Sequence, residues 1–274
     1  MYYWNSKPQI MNNLEILCRS AIDIIKETGN YIRTERTRFD QGAVQNKSAR
    51  DLVSYVDQTA ERMLVEKLSK ILPEAGFITE EKTTDKTGTI NWIVDPLDGT
   101  TNFITGFPLY STTLALAEGN DILLGITYEI TSDKCYYACK GKGAFCNNEK
   151  ITVKSNDQLE KSLIIIGTPY NMGENTSSYF DLIRFIYENS LGIRITGSAA
   201  IDMAYVAAGY ADAFIEFNLH SWDIAAGYLL VKEAGGFAST FSGNEDVYCP
   251  EVIAAGKIQP QLLELTRNYL NRTS

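Results

Sequence analysis

The sequence predicts a layered α+β fold. Consecutive strand-like segments in the first half, STTLALA, ILLGITYEI and KCYYAC, are joined by the turn-forming strings EGND and TSD. In the second half, helical and strand patterns alternate. The chain has 274 residues, of which 45% are hydrophobic, enough length and apolar surface to build a core.

Taken in order, Ile10, Leu14, Leu17, Ala21, Ile24, Ile25 and Ile32 recur at helical spacing and predict an amphipathic helix from Ile10 to about Arg36. Residues 37 to 50 are polar, contain Gly42 and read as an exposed loop. Asp51 to Val56 (DLVSYV) is β-prone and is expected as a short strand. A second helix is expected from Asp57 to Leu72, with Ala60, Met63, Leu64, Leu68 and Ile71 on one face and Pro73 as its stop. Residues 91 to 94 (NWIV) form a short buried strand that runs into Asp95, and SLIIIG at 162 to 167 is a fully apolar strand. A helix follows near 177 to 189, then one from Ser198 to Ala208 closed by Gly209. After the strand ADAFIEF comes a helix over 222 to 234 closed by Gly235 and Gly236. The strands FAST and VIAA and a final helix complete the chain. No repeat or linker is evident. One domain of two lobes is expected, about 1–150 and 151–274, with the boundary near Lys150 to Asn156.

Composition narrows the function. With 25 basic and 34 acidic residues the net charge is -9, a poor match to the basic face that nucleic acid requires. The five cysteines are odd in number and form no CxxC pair, so they read as reduced and structural. No apolar run reaches the roughly 18 residues needed to span a bilayer. The start, MYYWNSKPQIMNN, lacks a signal-peptide pattern, so no membrane partner and a cytoplasmic location are expected. The single histidine, His220, excludes a His-rich zinc site, and a Ser-His-Asp triad could rest on that residue alone. Metal chemistry must therefore use carboxylates, which favour hard ions such as magnesium.

The most informative string runs from Trp92 to Phe103, WIVDPLDGTTNF. Asp95 and Asp98 stand three apart after an apolar strand, and Pro96 biases Asp95 away from helix. Gly99 permits a tight turn, after which the amides of Gly99, Thr100 and Thr101 could face an anion. A plain turn would need neither two carboxylates nor paired threonines. A calcium EF-hand loop would need a glutamate at its twelfth position, which is Gly106, and no GxxxxGK[ST] phosphate loop is present. Glu80-Glu81, after GFIT, reads in isolation as a solvated acidic pair. Asp223 opens an apolar helix, where it could serve as N-cap or point toward a metal, and Ala225, Ala226 and Gly227 allow close packing. His220 receives no role. Glu216 shares a face of its strand with Asp212 and Phe214, seven residues before Asp223. It could reach the same cleft or lie on the surface.

DPLDGTTNF, the upstream GFITEE and the downstream HSWDIAAG resemble the three signatures of the inositol monophosphatase family of lithium-sensitive phosphatases. RITGSAAIDMAYVAAGYADAFIE, GKGAFCN at 141 to 147 and KEAGG at 232 to 236 resemble it too, so the likeness spans about Asp51 to Gly256. It implies an α/β/α/β/α sandwich with an antiparallel sheet in the first lobe and a mixed sheet in the second, usually as a homodimer. It implies a magnesium-dependent phosphomonoesterase acting on a small phosphorylated polyol such as inositol 1-phosphate, with two to three Mg2+ ions per site. By the same resemblance, Glu80, Asp95 and the Leu97 carbonyl hold the first ion, and Asp95, Asp98 and Asp223 the second. A third ion shares Glu80. Asp57 and Thr100 orient and deprotonate the attacking water, while the Gly99 and Thr100 amides cradle phosphate. Gly197, Ser198, Ala199 and Glu216 hold substrate hydroxyls, and Glu80, Leu97, Asp98 and Asp223 also face the substrate. Lys47, in QNKSARD, resembles a loop lysine of the family but stands one residue nearer Asp51, and Ser198 replaces the threonine of some relatives. The alternatives are the same chemistry on fructose-1,6-bisphosphate, NADP or histidinol phosphate, or a metal-binding regulatory module without catalysis.

Overall fold

A computed structural model describes residues 10, 13–38, 49–168 and 176–270, with the side chains of 49–54 left outside the description. Lys47 and most of the loop that carries it lie outside the described residues. Helix α1 (Leu14–Arg38) buries Leu14, Leu17, Cys18, Ala21, Ile24, Ile25 and Ile32 on one stripe, as the helical spacing requires. It packs on α2 (Ala49–Ile71), whose Val56, Ala60, Leu64 and Leu68 are buried in the same core. The strand expected over Asp51 to Val56 is therefore not formed; that segment is the first part of α2. Its β-branched residues favour a strand in isolation, but it leads into a helix whose apolar face, repeating every four residues, is buried from Val56 to Leu68. Burial of a continuous helical face outweighs local strand propensity.

The first sheet contains β1 (Gly76–Thr79), β2 (Asn91–Asp98), β3 (Ser111–Glu118), β4 (Asp121–Glu129), β5 (Lys134–Cys139), β6 (Ala144–Cys146) and β7 (Glu149–Ile151), in that spatial order. β1 runs parallel to β2 and every later neighbour is antiparallel. One face packs on α1 and α2 through Leu114, Leu116, Leu124, Ile126 and Tyr128. The second sheet has the order β11 (Phe237–Ser239), β12 (Glu251–Ala255), β10 (Ala213–Phe217), β8 (Leu163–Ile166) and β9 (Gly192–Arg194). It is mixed: β10, β8 and β9 are parallel, and β12 runs against both its neighbours.

Helices α5 (Ala199–Ala207) and α6 (Ser221–Glu233) fill the space between the sheets, burying Met203, Val206, Ile224 and Leu230 against Ala115, Tyr136, Phe214 and Val252. α6 is apolar almost all round because it is covered from both sides. α4 (Thr176–Asn189) and α7 (Gln259–Leu270) cover the outer face of the second sheet through Tyr179, Leu182, Ile186 and Leu262. The layers thus read α/β/α/β/α. A short helix, α3 (Thr100–Thr105), follows β2 directly. Elements absent from the sequence expectation are short: β1, β6, β7, β9 and α3.

Candidate active site

A cleft of about 530 Å³ opens where the end of β2, helix α3, the N-termini of α5 and α6 and the end of β10 meet. β2 supplies two carboxylates because its ladder breaks. Asp95 pairs with Thr113 and Asp98 with Ser111, and the register shifts between them. Pro96 has no N–H to give the ladder, and its carbonyl instead accepts the Thr112 hydroxyl at 2.9 Å. Asp95 Oδ1 accepts the Leu97 amide at 2.8 Å, so the Asx turn expected of an ordinary strand end is present within the site. Gly99, at φ 85, caps α3 in a conformation that suits glycine. The Thr100 hydroxyl donates to the Leu97 carbonyl at 3.0 Å.

Asp98 reaches across the chain. Its Oδ2 accepts the Ser198 hydroxyl, the Ala200 amide at 3.0 Å and the Ser111 hydroxyl at 3.5 Å. It therefore caps the N-terminus of α5 and ties it to β2. Asn102 reinforces the junction, donating through Nδ2 to the carbonyls of Leu109 at 2.7 Å and Thr196 at 2.9 Å. Gly197, at φ 83, lies where a Cβ would crowd Asn102. Glu80 follows β1, and its amide donates to the Val94 carbonyl at 3.3 Å, beside Asp95. Glu216, the last residue but one of β10, has its carboxyl packed over Gly167, where any Cβ would fall 1.9 Å from it. Asp223 is the third residue of α6 rather than its N-cap. His220 takes the cap position: Asp223 Oδ2 accepts the His220 amide at 2.7 Å, and the Asp223 amide donates to the His220 carbonyl at 3.1 Å. The His220 ring stacks on Trp222 with centroids 4.5 Å apart.

Every residue predicted for the site lines this cleft except Asp57. Asp57 is buried on α2, which touches α3, and its Oδ1 has no hydrogen-bond partner among the described residues. No hydrogen bond joins it to Thr100, whose hydroxyl is turned to Leu97. Burial and the charges of Glu80, Glu81 and Glu61 push its carboxyl up to about 8. Asp95 is raised well above the carboxylate range by burial and by Glu80, Asp98 and Asp223. Desolvation pushes Glu80 up to about 7, with a hydrogen bond from Asp95 opposing it. Asp223 rises to about 8 through burial and the charge of Asp98. Glu216 rises to about 9 through burial and the charges of Asp202, Asp98 and Asp223. Asp98 is also raised by burial, partly offset by its hydrogen bonds.

Among the described residues, no ion pair within 4.0 Å reaches these carboxylates. Nor are any three acidic, cysteine or histidine side chains drawn tightly enough to enclose an ion as they stand. The donor set nonetheless fits a hard cation. All the side-chain donors are carboxylate oxygens, they face one cleft, and their mutual repulsion is of the kind that positive charge relieves.

Sequence reasoning missed Asp202. It is 1% exposed on α5, lines the cleft and accepts the Thr196 hydroxyl through Oδ1. Its signal was available, since a lone carboxylate inside the apolar run AAIDMAYVA is seldom buried without purpose. Asn102, Thr168, Asn218, His220 and Trp222 also line the cleft and carried no local signal that assigned them a role.

The model of the inositol monophosphatase family matches residues 13–272. An inositol-1-monophosphatase of Mesorhizobium japonicum is 39% identical over 241 residues, covering 85% of this chain and 91% of the relative. A protein of Aquifex aeolicus named fructose-1,6-bisphosphatase/inositol-1-monophosphatase is 32% identical over 262 residues, covering 95% and 98%. Among solved structures, an extragenic suppressor protein suhB of Bartonella henselae superposes with a TM-score of 0.81 at 33% identity, covering 91% of this chain and 98% of that one.

Proposed function

This chain belongs to the inositol monophosphatase family, and from that premise we propose that it is a magnesium-dependent phosphomonoesterase acting on a small phosphorylated polyol such as inositol 1-phosphate. Membership carries the reaction class, phosphoric monoester hydrolysis. The observation that supports the metal is the convergence of Glu80 after β1, Asp95 and Asp98 of β2, and Asp223 of α6 on one cleft beside the Gly99 turn. A phosphate dianion would be repelled by such a wall unless cations stood between them.

When bound, Mg2+ neutralises the phosphate and acidifies the attacking water. The Leu97 carbonyl and the four carboxylates would hold two to three ions. Asp57 receives the water's proton, and the Thr100 hydroxyl relays it after turning from Leu97. The Gly99 and Thr100 amides hold the phosphate oxygens. Gly197, Ser198, Ala199 and Glu216 bind the polyol's hydroxyls, Glu216 as an acceptor. Direct attack by water requires no covalent intermediate.

The name of the Aquifex relative favours a second reading, the same chemistry on fructose-1,6-bisphosphate. One assay separates the readings: phosphate release from inositol 1-phosphate, fructose-1,6-bisphosphate and p-nitrophenyl phosphate, with Mg2+, after chelation and across a lithium titration. Release from inositol 1-phosphate that requires Mg2+ and falls with lithium is expected. A preference for the bisphosphate supports the second reading, and no release from any ester, with Mg2+ binding detected by titration calorimetry, would leave a regulatory module. The homodimer that the resemblance implies is checked by light scattering.

A further inference from the structure

Glu61 lies on α2, one turn after Asp57, and is 0% exposed. Its Oε2 accepts the Glu81 amide at 2.8 Å, and its Oε1 accepts the Thr83 amide at 2.8 Å and the Thr83 hydroxyl at 2.7 Å. Lys82, between those two amides, is left-handed at φ 54. Amides flanking a left-handed residue form a concave nest for an anion, and here the anion is a side chain of the same protein. The segment after β1 thus has two anchors. One is the bond from the Glu80 amide to the Val94 carbonyl; the other is the nest on Glu61. Glu80 stands between them on the cleft wall.

We infer that Glu61 is a positioning residue for Glu80, locking residues 81–83 so that the Glu80 carboxylate meets the cleft beside Asp95. The inference rests on the magnesium reading above. Three donors face Glu61, so the site requires a group that only accepts. A glutamine would turn its NH2 against at least one of them. Without the carboxylate, nothing compensates the left-handed Lys82, and its relaxation moves the residue next to Glu80. α2 then has two tasks one turn apart, placing Asp57 and fixing the chain that carries a metal ligand.

The test is Glu61→Gln in the full chain, with Mg2+ binding to the metal-free protein measured by titration calorimetry and turnover measured against Mg2+ concentration. The expected result is a roughly tenfold or larger rise in both the Mg2+ dissociation constant and the activating concentration, as for other groups that orient a metal ligand. Turnover at saturating Mg2+ should be largely retained. Glu66→Gln, on the exposed side of the same helix, should change neither. A merely structural role lowers the melting temperature but leaves the Mg2+ dissociation constant unmoved, and that result overturns the inference while the magnesium reading stands. If the wild-type protein binds no Mg2+, the reading itself fails and the inference with it. If Glu61→Gln does not fold, Thr83→Val removes one donor and keeps both nest amides. It should raise the same constant by a smaller factor, and no change there also overturns the inference.

Discussion

At the scale of single residues, the side chains proposed for chemistry also hold the fold. Asp98 accepts three hydrogen bonds, two of them from the start of α5, a hundred residues away. Asp98→Asn keeps a carbonyl oxygen for the Ala200 amide but removes the charge offered to an ion. Turnover should fall by orders of magnitude while circular dichroism stays native, with a melting temperature lowered by a cap loss of about 1 kcal/mol. Near-normal turnover in saturating Mg2+ would refute the metal role. Glu216 tests substrate choice. Its carboxyl occupies the space that Gly167 leaves open, so it faces the cleft rather than the outer surface. Glu216→Gln should weaken inositol 1-phosphate hydrolysis far more than that of p-nitrophenyl phosphate. The loss of a charge-assisted bond, roughly 1.5 to 3 kcal/mol, corresponds to about ten- to a hundredfold in kcat/KM. Equal losses on both esters would assign Glu216 to the metal site or the fold.

At the scale of elements, α6 is the most constrained piece. It carries Asp223 at its start and runs between the two sheets. Small residues permit this: a Cβ on Gly125 of β4 would fall 2.7 Å from the Ala226 carbonyl oxygen, and one on Gly227 would fall 2.5 Å from the Met203 side chain. Gly125→Ala meets backbone that has no rotamer to change, so the helix must shift. The expected cost is about 1 to 3 kcal/mol of stability, together with a higher Mg2+ requirement because Asp223 moves with its helix. Thermal denaturation and a Mg2+ activation curve check the two effects separately. A stability loss with unchanged Mg2+ activation would show that the sheet, not α6, absorbs the strain.

For the whole molecule, the cleft carboxylates and the buried Asp57 on α2 link stability to pH. Asp57 and Asp223 are held near 8, Glu80 near 7 and Glu216 near 9, all above their ordinary values of 3.8 or 4.5. A group raised on folding binds its proton more tightly in the native state. Its contribution is therefore complete below about pH 4 and is lost as pH rises through the native value. The metal-free protein should lose melting temperature from about pH 4 to about pH 9, and Mg2+ should remove most of that loss by taking the protons' place. Scanning calorimetry at several pH values, with Mg2+ and with chelator, measures this. A metal-free melting temperature that rises over the same range would show the carboxylates to be satisfied without a cation.

The sequence by itself determined what short-range chemistry can express. The periodicities of 2 and 3.6 placed nearly all the long elements. The single histidine excluded a His-rich zinc site and turned attention to carboxylates. DPLDGTTNF carried two carboxylates and a tight turn within a few residues, so most of the cleft could be named from contiguous strings. Tertiary structure alone decided which distant groups meet. The segment DLVSYV is helical because the helix it leads into has its apolar face buried against α1. Glu80-Glu81 is more than a solvated pair because the Glu61 carboxylate holds the following loop across twenty residues of chain. Asp202 reaches the cleft because α5 is capped by Asp98 and enclosed between two sheets. Hydrogen bonds and burial between remote segments leave no periodic trace. A carboxylate's role depends on its surroundings, and only the folded chain brings those surroundings together.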